Sequence, residues 1–221
     1  MSGVVKRKFC FIICVNDEEC YNECCLYINK LKVPNGYVVE LLPIRNAKSM
    51  AEGYNVGMNS TDAKIKIYMH QDTFILNTNF LNDILEVFNN NRKAMMLGVV
   101  GAPKLSPSGV IEFSKRVGNA YVYDHNNVDF SRYYYSSDEG INDVEALEGF
   151  LMVTREDLPW RSDLFTGWDF ADIAQAFEFR KNGYRVVVPN QTRPWCHHEA
   201  GRRSMKAYDE YRKVFLKEYN L

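Results

Sequence analysis

A histidine and an aspartate stand two residues apart at the end of a strand-like segment. Segment 64–69 (KIKIYM) alternates in polarity, which predicts a strand, and His70-Gln71-Asp72 follows it at once. Side chains two residues apart on a strand point the same way, so the His70 imidazole could lie beside the Asp72 carboxylate. Carboxylate oxygens are hard ligands that suit Mg²⁺ or Mn²⁺. The motif therefore predicts a divalent-cation site, with the alternative that Asp72 only caps the turn before Thr73.

A pair of adjacent histidines follows the last predicted strand. They belong to the sequence Trp195-Cys196-His197-His198-Glu199. An imidazole beside an acidic residue is compatible with a metal ligand. The alternative is a solvated or packed pair of histidines that binds nothing.

Two carboxylates, Asp169 and Asp172, are predicted to open a helix after Gly167-Trp168. The positive end of a helix favours anions there, and either carboxylate could act as a general base toward a hydroxyl. Ordinary helix capping is the alternative. A further carboxylate, Glu148, precedes Gly149, and a glycine permits close approach by a ligand.

The segments that would position these motifs alternate between strand and helix. Apolar run 9–15 predicts a first strand, after which Asn16 is expected to cap a helix with Glu19 as its capping-box partner. Strands are predicted at 37–42, 64–69 and 95–100, with helices between them. This order predicts a Rossmann-like α/β fold, a mostly parallel sheet flanked by helices. Ligands in such sheets lie at the carboxyl ends of strands, where Asn16 and Asp72 fall.

The second half of the chain is less regular. Segment 102–144 is interrupted by prolines and glycines, so it is expected to be irregular and to shape a site. A strand at 147–154, a helix at 169–181 closed by Gly183, a strand at 185–188 and an amphipathic tail at 202–219 are predicted. Without repeats or linkers, residues 1–221 are expected to form one domain.

Composition restricts the classes of function. The 221 residues carry a formal net charge of −1, which argues against nucleic acid or an anionic membrane as partner. No apolar run approaches the ~18 residues of a membrane span, and run 9–15 lacks a signal-peptide cleavage site. The six cysteines show no Cys-x2-Cys pair, which favours buried free thiols in a reducing cytoplasm.

Taken in order, these motifs resemble the family 2-like glycosyltransferases with the GT-A fold. The most similar subgroup is the one named for a streptomycin-biosynthesis-associated domain. The resemblance spans residues 8–198 and rests on five stretches: 49–58 (SMAEGYNVGM), 68–72 (YMHQD), 147–161 (beginning LEGFLM and ending PWR), 169–184, and 194–198 (PWCHH).

The resemblance implies roles for the donor side of the site. Asp72 matches the last carboxylate of the family's Asp-x-Asp motif, which holds the cation at the sugar-nucleotide diphosphate, and His70 replaces the first. His198, rather than His197, matches a late histidine near the diphosphate, so the implied metal ligands are Asp72 and His198. The residues implied at the donor and its diphosphate are Asn16, Asn55, His70 and Asp72.

The resemblance also implies an acceptor side. Asp169 matches the acid that serves as general base on the acceptor hydroxyl, with Asp172 as the second candidate. Glu148 and Trp168 are implied to line the acceptor pocket. Residues 8–101 would then form the nucleotide-sugar half, 102–198 the acceptor half and 199–221 a C-terminal helix. The region 43–46 (PIRN) lacks the Asp with which many relatives contact the base, so the base is not implied.

The implied activity is a hexosyltransferase-like enzyme of inverting type. It would use a nucleoside-diphosphate sugar and Mn²⁺ or Mg²⁺, with a carbohydrate or other hydroxyl compound as acceptor. One alternative is a non-catalytic sugar- or nucleotide-binding module of the same fold. The other is a sugar-nucleotide nucleotidylyltransferase, a class that needs a glycine-rich basic loop where this chain has the acidic segment 15–19 (VNDEE).

Overall fold

The computed structural model describes residues 7–124, 129–135, 140–200 and 205–221. A short 3-10 helix covers Ile111–Phe113. The strands and longer helices are, in chain order, β1 (Arg7–Val15), α1 (Glu18–Ile28), β2 (Tyr37–Arg45), α2 (Met50–Asn59), β3 (Ile65–His70), β4 (Thr73–Ile75), α3 (Phe80–Asn90), β5 (Ala94–Gly98), β6 (Val100–Ala102), β7 (Val117–Asp124), β8 (Asp129–Tyr135), β9 (Ile141–Asp143), β10 (Ala146–Leu147), β11 (Leu151–Thr154), α4 (Ala171–Lys181), β12 (Arg185–Pro189), β13 (Cys196–Ala200) and α5 (Met205–Tyr219).

A seven-stranded sheet forms the centre of the domain, in the order β2-β1-β3-β11-β5-β12-β9. β1 pairs in parallel with β2 and β3, and β5 pairs in parallel with β12. β11 runs antiparallel between β3 and β5, and β9 runs antiparallel on the edge. Helices α2, α4 and α5 cover one face of this sheet, and α1 and α3 cover the other. The predicted α/β fold with a mostly parallel sheet is therefore confirmed.

A second sheet departs from the prediction for segment 102–144. It has the order β10-β6-β7-β13-β4, with β8 beside β7. The prediction of irregular structure is wrong where β7 and β8 lie. Gly118 is one of the glycines that led to the prediction of irregular structure, and it has φ 118°. A Cβ added to it would lie 2.1 Å from the Val99 carbonyl oxygen. Here glycine permits two strands to approach closely.

The segments predicted as strands 95–100 and 147–154 each divide between the two sheets. The first becomes β5 and β6, and the second becomes β10 and β11. An apolar run shows that a segment is buried but does not show where the chain crosses from one sheet to the other. Residues 148–150 form the second crossing, and they lie next to the site described below.

Several element boundaries also differ from those predicted. Asp17, not Asn16, caps α1, because its carboxylate accepts the N–H groups of Glu19 and Cys20. α4 begins at Ala171, so Asp169 precedes the helix instead of opening it. His197 and His198 lie within β13, not beyond the last strand. α5 begins at Met205, and residues 202–204 of the predicted tail lie outside the described residues.

Burial of β3 on both faces was not predicted. Lys66 is only 2% exposed, although lysine side chains are almost never buried unless they are paired. Its ammonium donates to both carboxylate oxygens of Asp157 at 2.8 Å and to the Ala63 carbonyl at 2.8 Å. An ion pair with a further hydrogen bond is what allows a charge to be buried. β3 is thus an inner strand, as its pairing with β1 and β11 requires.

Candidate functional site

Two histidines and an aspartate meet beyond the carboxyl end of β3. His198 Nε2 lies 3.4 Å from Asp72 Oδ1, and His70 Nδ1 lies 3.9 Å from the same oxygen. The two ring nitrogens are 3.4 Å apart. One donor atom from each residue lies within 4.8 Å of the others, so the three side chains could share one metal ion. We refer to His70, Asp72 and His198 as the His-Asp-His cluster.

Strand pairing brings His198 to this cluster. β13 runs antiparallel to β4, with His198 opposite Thr73, and the N–H of Glu199 donates to the Asp72 carbonyl at 2.9 Å. Neighbouring residues of a strand face opposite sides, so His197 points away, toward Phe74, with ring centres 5.9 Å apart. His198 and not His197 therefore reaches Asp72.

The cluster stabilises the ionised form of Asp72. Burial alone would raise the pKa of this carboxyl, but the hydrogen bond from His198 and the charges of His198 and His70 outweigh burial. The pKa of Asp72 consequently lies below its usual value. On the other face of β13, burial lowers the pKa of His197.

Phe150, which the sequence did not indicate as a site residue, holds both histidines of the cluster. Its carbonyl accepts the backbone N–H of His70 at 3.1 Å. Its ring stacks on the His198 imidazole, with centres 4.8 Å apart and planes 19° from parallel. Phe150 is 3% exposed, so its own position is set by the core. One buried residue thus contacts both histidines, His70 through its backbone and His198 through its ring.

A cavity of about 470 Å³ opens beside the cluster, at the carboxyl ends of β1 and β3. Among the residues predicted for the site, Asn16, His70, Asp72 and Trp168 line it. Cys14, Gln71 and Tyr54 are further lining residues that sequence reasoning did not single out. The Trp168 side chain is half exposed, and it forms part of the wall. The volume lies within the usual range of small-molecule sites.

Gln71 connects the two strand ends that border the cavity. Its Oε1 accepts the backbone N–H groups of Asn16 at 3.0 Å and of Asp17 at 3.1 Å, and its Nε2 donates to Asn16 Oδ1. The turn between β1 and α1 is therefore tied to the residue between His70 and Asp72. A glutamine amide can donate and accept at once, which is why one side chain satisfies all three groups.

The two candidate bases differ in their surroundings. Asp172 lies in the first turn of α4, and its carboxylate contacts the backbone of Gly149. Asp169 follows Trp168 of the cavity wall and precedes Phe170, which has φ 66°. A left-handed conformation is uncommon for an aromatic residue. It turns the chain sharply between Asp169 and the start of α4.

The loop that carries Trp168 and Asp169 is held by α5. The Gly167 carbonyl accepts the N–H of Met50 at the start of α2. A Cβ on Gly167 would meet the Tyr211 ring at 2.5 Å, and the Tyr211 hydroxyl lies 3.1 Å from Thr166 Oγ1. Phe170 packs on Tyr208 and Phe215, with ring centres 4.8 Å and 5.5 Å apart. The C-terminal helix therefore fixes this loop relative to the cavity.

Besides His198 and the candidate bases Asp169 and Asp172, two predicted site residues lie outside the cavity wall. Asn55 binds the backbone of Trp160 through both ends of its amide, and it also donates to the Ser162 hydroxyl. These contacts anchor α2 to the 160–162 loop. Glu148 forms an ion pair with Arg116 at 2.8 Å, and both side chains are largely buried. Their predicted roles at donor and acceptor stay predictions.

The donor atoms of the cluster suit a small divalent ion. Ligands about 2.1 Å from one ion at tetrahedral angles lie about 3.4 Å from one another. The cluster has two separations of 3.4 Å and one of 3.9 Å, so shifts of a few tenths of an ångström would suffice. Three protein ligands at the edge of a cavity leave further coordination positions for oxygens of a bound molecule.

Comparisons with a family model and with solved structures both find glycosyltransferases. A family model described as glycosyltransferase-like matches residues 10–219. No curated protein matches the chain in sequence. The structure is similar to the S. aureus TarS fragment 1-349 in complex with UDP, with a TM-score of 0.55, 13% identity, and coverage of 96% of this chain and 65% of that chain.

Two further solved structures are similar. One is the mannosyltransferase PcManGT from Pyrobaculum calidifontis with GDP-Man and Mn²⁺, with a TM-score of 0.62, 12% identity, and coverage of 97% and 64% of the two chains. The other is a mutant Drosophila β-1,4-galactosyltransferase 7 with manganese, UDP-Gal and xylobiose, with a TM-score of 0.54, 15% identity, and coverage of 89% and 72%. At such low identities these likenesses establish the fold alone. It is the GT-A fold, which the resemblance of the sequence motifs implied.

The chain spans 65% and 64% of the lengths of the first two of these structures. Within the described ranges, no helix is both long and apolar enough to cross a membrane. All six cysteines lie in the described part of the chain, and each is a free thiol.

Proposed function

The chain belongs to the glycosyltransferase-like family whose model matches residues 10–219, and from this premise we propose that it moves a sugar from a nucleoside-diphosphate sugar to an acceptor hydroxyl. The observation that carries this proposal is the His-Asp-His cluster at the edge of a cavity formed by the carboxyl ends of β1 and β3. In α/β sheets of this kind, ligands bind at those strand ends. Two of the similar solved structures hold manganese together with a sugar nucleotide.

The donor would lie in the cavity with its diphosphate toward the cluster. Asp72 and His198 would hold a divalent cation, Mn²⁺ or Mg²⁺, which supplies positive charge to the departing diphosphate when bound. Asn16, on the cavity wall, would contact the nucleotide, while Gln71 keeps the turn after β1 in place. Asn55 would support the donor site from α2 through its bonds to Trp160.

The acceptor would approach from the side of Trp168. Asp169 is our first candidate for the general base that takes the proton of the attacking hydroxyl, and Asp172 is the second. An exposed tryptophan beside a carboxylate offers an apolar face for a sugar ring. Attack by the hydroxyl on the anomeric carbon opposite the diphosphate would invert that carbon. Glu148, paired with Arg116, would border the acceptor side.

Finer assignments follow from the same proposal. We expect a hexosyltransferase of the streptomycin-biosynthesis-associated subgroup, with residues 8–101 serving the donor and 102–198 the acceptor within one domain. A small carbohydrate or another hydroxyl compound is the expected acceptor, and nucleic acid is not. The free thiols support a reducing compartment such as the cytoplasm, where disulfides are rare.

A non-catalytic nucleotide-binding module is the second candidate, and the replacement of the first motif carboxylate by His70 favours it. Calorimetric titration with UDP, GDP and their common sugar conjugates, in Mn²⁺ and in EDTA, tests binding. Release of nucleoside diphosphate from the bound conjugate, with and without a panel of glycoside acceptors, tests turnover. Metal-dependent binding with turnover supports the transferase, binding without turnover supports the module, and absence of binding contradicts both.

A further inference from the structure

We propose that His70 is a third protein ligand of the bound cation, and that the resulting set of two imidazoles and one carboxylate makes this site select a late first-row transition ion over Mg²⁺. This inference rests on the proposed function insofar as that function places a cation at the His-Asp-His cluster. It goes further in assigning the ligand set and the class of ion.

Geometry supports His70 as a ligand. Its Nδ1 lies 3.4 Å from His198 Nε2 and 3.9 Å from Asp72 Oδ1. Ligands of one ion with bonds of about 2.1 Å are about 3.0–3.4 Å apart for octahedral to tetrahedral angles. Calcium, with bonds of 2.3–2.6 Å and six to eight oxygen ligands, fits this small group poorly. The three atoms therefore surround a space suited to an ion with short bonds to nitrogen.

Donor chemistry then determines the selectivity. Imidazole suits Fe²⁺, Co²⁺, Ni²⁺ and Zn²⁺, whereas Mg²⁺ prefers carboxylate, phosphate and water oxygens. A motif with two aspartates would bring two negative charges to the ion, but this cluster brings one. The loss of a carboxylate removes attraction that Mg²⁺ needs, and the imidazole in its place gives a transition ion a stronger bond.

The cluster is also held in position without help from an ion. The Phe150 carbonyl fixes the backbone of His70, and the Phe150 ring stacks on His198. Pairing of β13 with β4 fixes His198 beside Asp72. Ligands that are already oriented lose little freedom when the ion binds, and such supporting contacts commonly change metal affinity about 10–100-fold.

Dissociation constants for Mg²⁺, Mn²⁺, Co²⁺ and Zn²⁺ test the proposal, measured by competition with a chromogenic chelator on the wild-type protein and on His70→Asp. A given site generally binds late first-row transition ions such as Co²⁺ more tightly than earlier ones, so tight binding of Co²⁺ does not by itself identify His70 as a ligand. The informative quantity is the ratio of the Mg²⁺ dissociation constant to the Co²⁺ dissociation constant, and how it changes when His70 is replaced. We expect that ratio to fall by at least about 10-fold in His70→Asp, because an oxygen replaces a nitrogen. His197→Asn is the matched control, and it should leave the ratio unchanged.

X-ray absorption at the cobalt edge gives a readout independent of activity. We expect two imidazoles on Co²⁺ in the wild-type protein and one in His70→Asp. If His70→Asp does not fold, His70→Asn should weaken Co²⁺ more than Mg²⁺. His70→Asp could leave both the Mg²⁺/Co²⁺ ratio and the number of imidazoles on Co²⁺ unchanged. If nucleotide binding still depends on metal in that case, His70 is not a ligand, and this inference alone is overturned. Failure of the wild-type protein to bind any of these ions overturns both this inference and the proposed cation role.

Discussion

The carboxylate of Asp172 lies against the backbone of Gly149. A Cβ added to residue 149 would come within 2.3 Å of Asp172 Oδ2 and 2.7 Å of Asp172 Cβ. This contact joins the crossing between the two sheets to the first turn of α4. Gly149 therefore lies between two parts of the site. The next residue, Phe150, supports the His-Asp-His cluster, and Asp172, which contacts Gly149, is a candidate base.

Gly149→Ala should therefore displace Asp172 and lower both stability and turnover. Crowding of this kind typically costs about 1–3 kcal/mol in the free energy of unfolding. We expect turnover to fall more than donor affinity, since the cavity wall does not include residue 149. Urea unfolding and initial rates at saturating donor measure the two effects.

The double variant Gly149→Ala/Asp172→Ala is the control for this crowding. It should regain most of the stability that Gly149→Ala loses, because the side chain that the new methyl group meets is gone. Turnover should stay low in the double variant. Full stability of Gly149→Ala alone would show that the two residues can move apart without cost.

Asp72→Asn should weaken binding of UDP or GDP strongly in Mn²⁺ and little in EDTA. The change keeps the shape of the side chain and removes the negative charge that would hold the cation. His198→Ala should show the same pattern more weakly, since one ligand of several is lost. Calorimetric titrations in both conditions measure the difference.

His197→Ala is the matched control for His198→Ala, because His197 lies on the opposite face of β13 beside Phe74. It should leave the metal-dependent part of the affinity unchanged. Equal losses for Asp72→Asn in Mn²⁺ and EDTA would argue against a metal role for this carboxylate.

The part of the site that the residues alone predicted is the part encoded locally, whereas the pairing of Asp72 with His198 was implied only by the family resemblance. Alternation in 64–69 located the end of β3, and so it located His70 and Asp72. The link from Gln71 to Asn16 spans 55 residues, and the stacking of Phe150 on His198 joins two distant segments. Neither leaves a periodic signal, because each depends on which strands become neighbours.

The missed and wrong local predictions have similar causes. The burial of Lys66 was not predicted because its partner, Asp157, is 91 residues away. The start of α4 was placed at Asp169, but Phe170 adopts φ 66° where Tyr208 and Phe215 of α5 pack on its ring. Tertiary contacts there outweigh the capping preference of an aspartate.

Gln71→Ala should weaken donor binding with little effect on turnover at saturation. The turn after β1 would lose two backbone hydrogen bonds and one side-chain bond. At about 1 kcal/mol for each net bond, the three bonds amount to about 3 kcal/mol, so up to about 150-fold in donor affinity is at stake. Asn16→Ala removes one of these bonds together with the proposed contact of Asn16 with the nucleotide, so it should also weaken donor binding. A loss no larger than that of one hydrogen bond would argue against direct contact between Asn16 and the nucleotide.

Phe215→Ala should destabilise the domain and disturb the loop of Trp168 and Asp169. The ring is fully buried and packs on Phe170, Phe177 and Tyr219, so its loss should cost about 3–5 kcal/mol. Phe113→Ala is the matched control: that ring is 76% exposed, and the expected cost is below about 0.5 kcal/mol. Urea denaturation measures both, and similar costs would contradict the assigned role of α5.

The identity of the catalytic base can be decided by comparing Asp169→Asn with Asp172→Asn. Each change keeps the shape of the side chain and removes the proton acceptor. A base that acts only during attack contributes to turnover and not to donor binding. General-base catalysis is typically worth about 10²–10⁴-fold in rate, so we expect Asp169→Asn to lose turnover in that range while donor affinity stays near normal.

Asp172→Asn should cost less turnover, since the contact of Asp172 with Gly149 is that of a residue that orients its neighbours. Calorimetric titrations with the donor and initial rates with a cognate acceptor measure both variants. If Asp172→Asn abolishes turnover while Asp169→Asn retains it, the two assignments must be exchanged. If both variants keep full activity, neither carboxylate takes the proton, and the segment around the start of α4 has only a structural role.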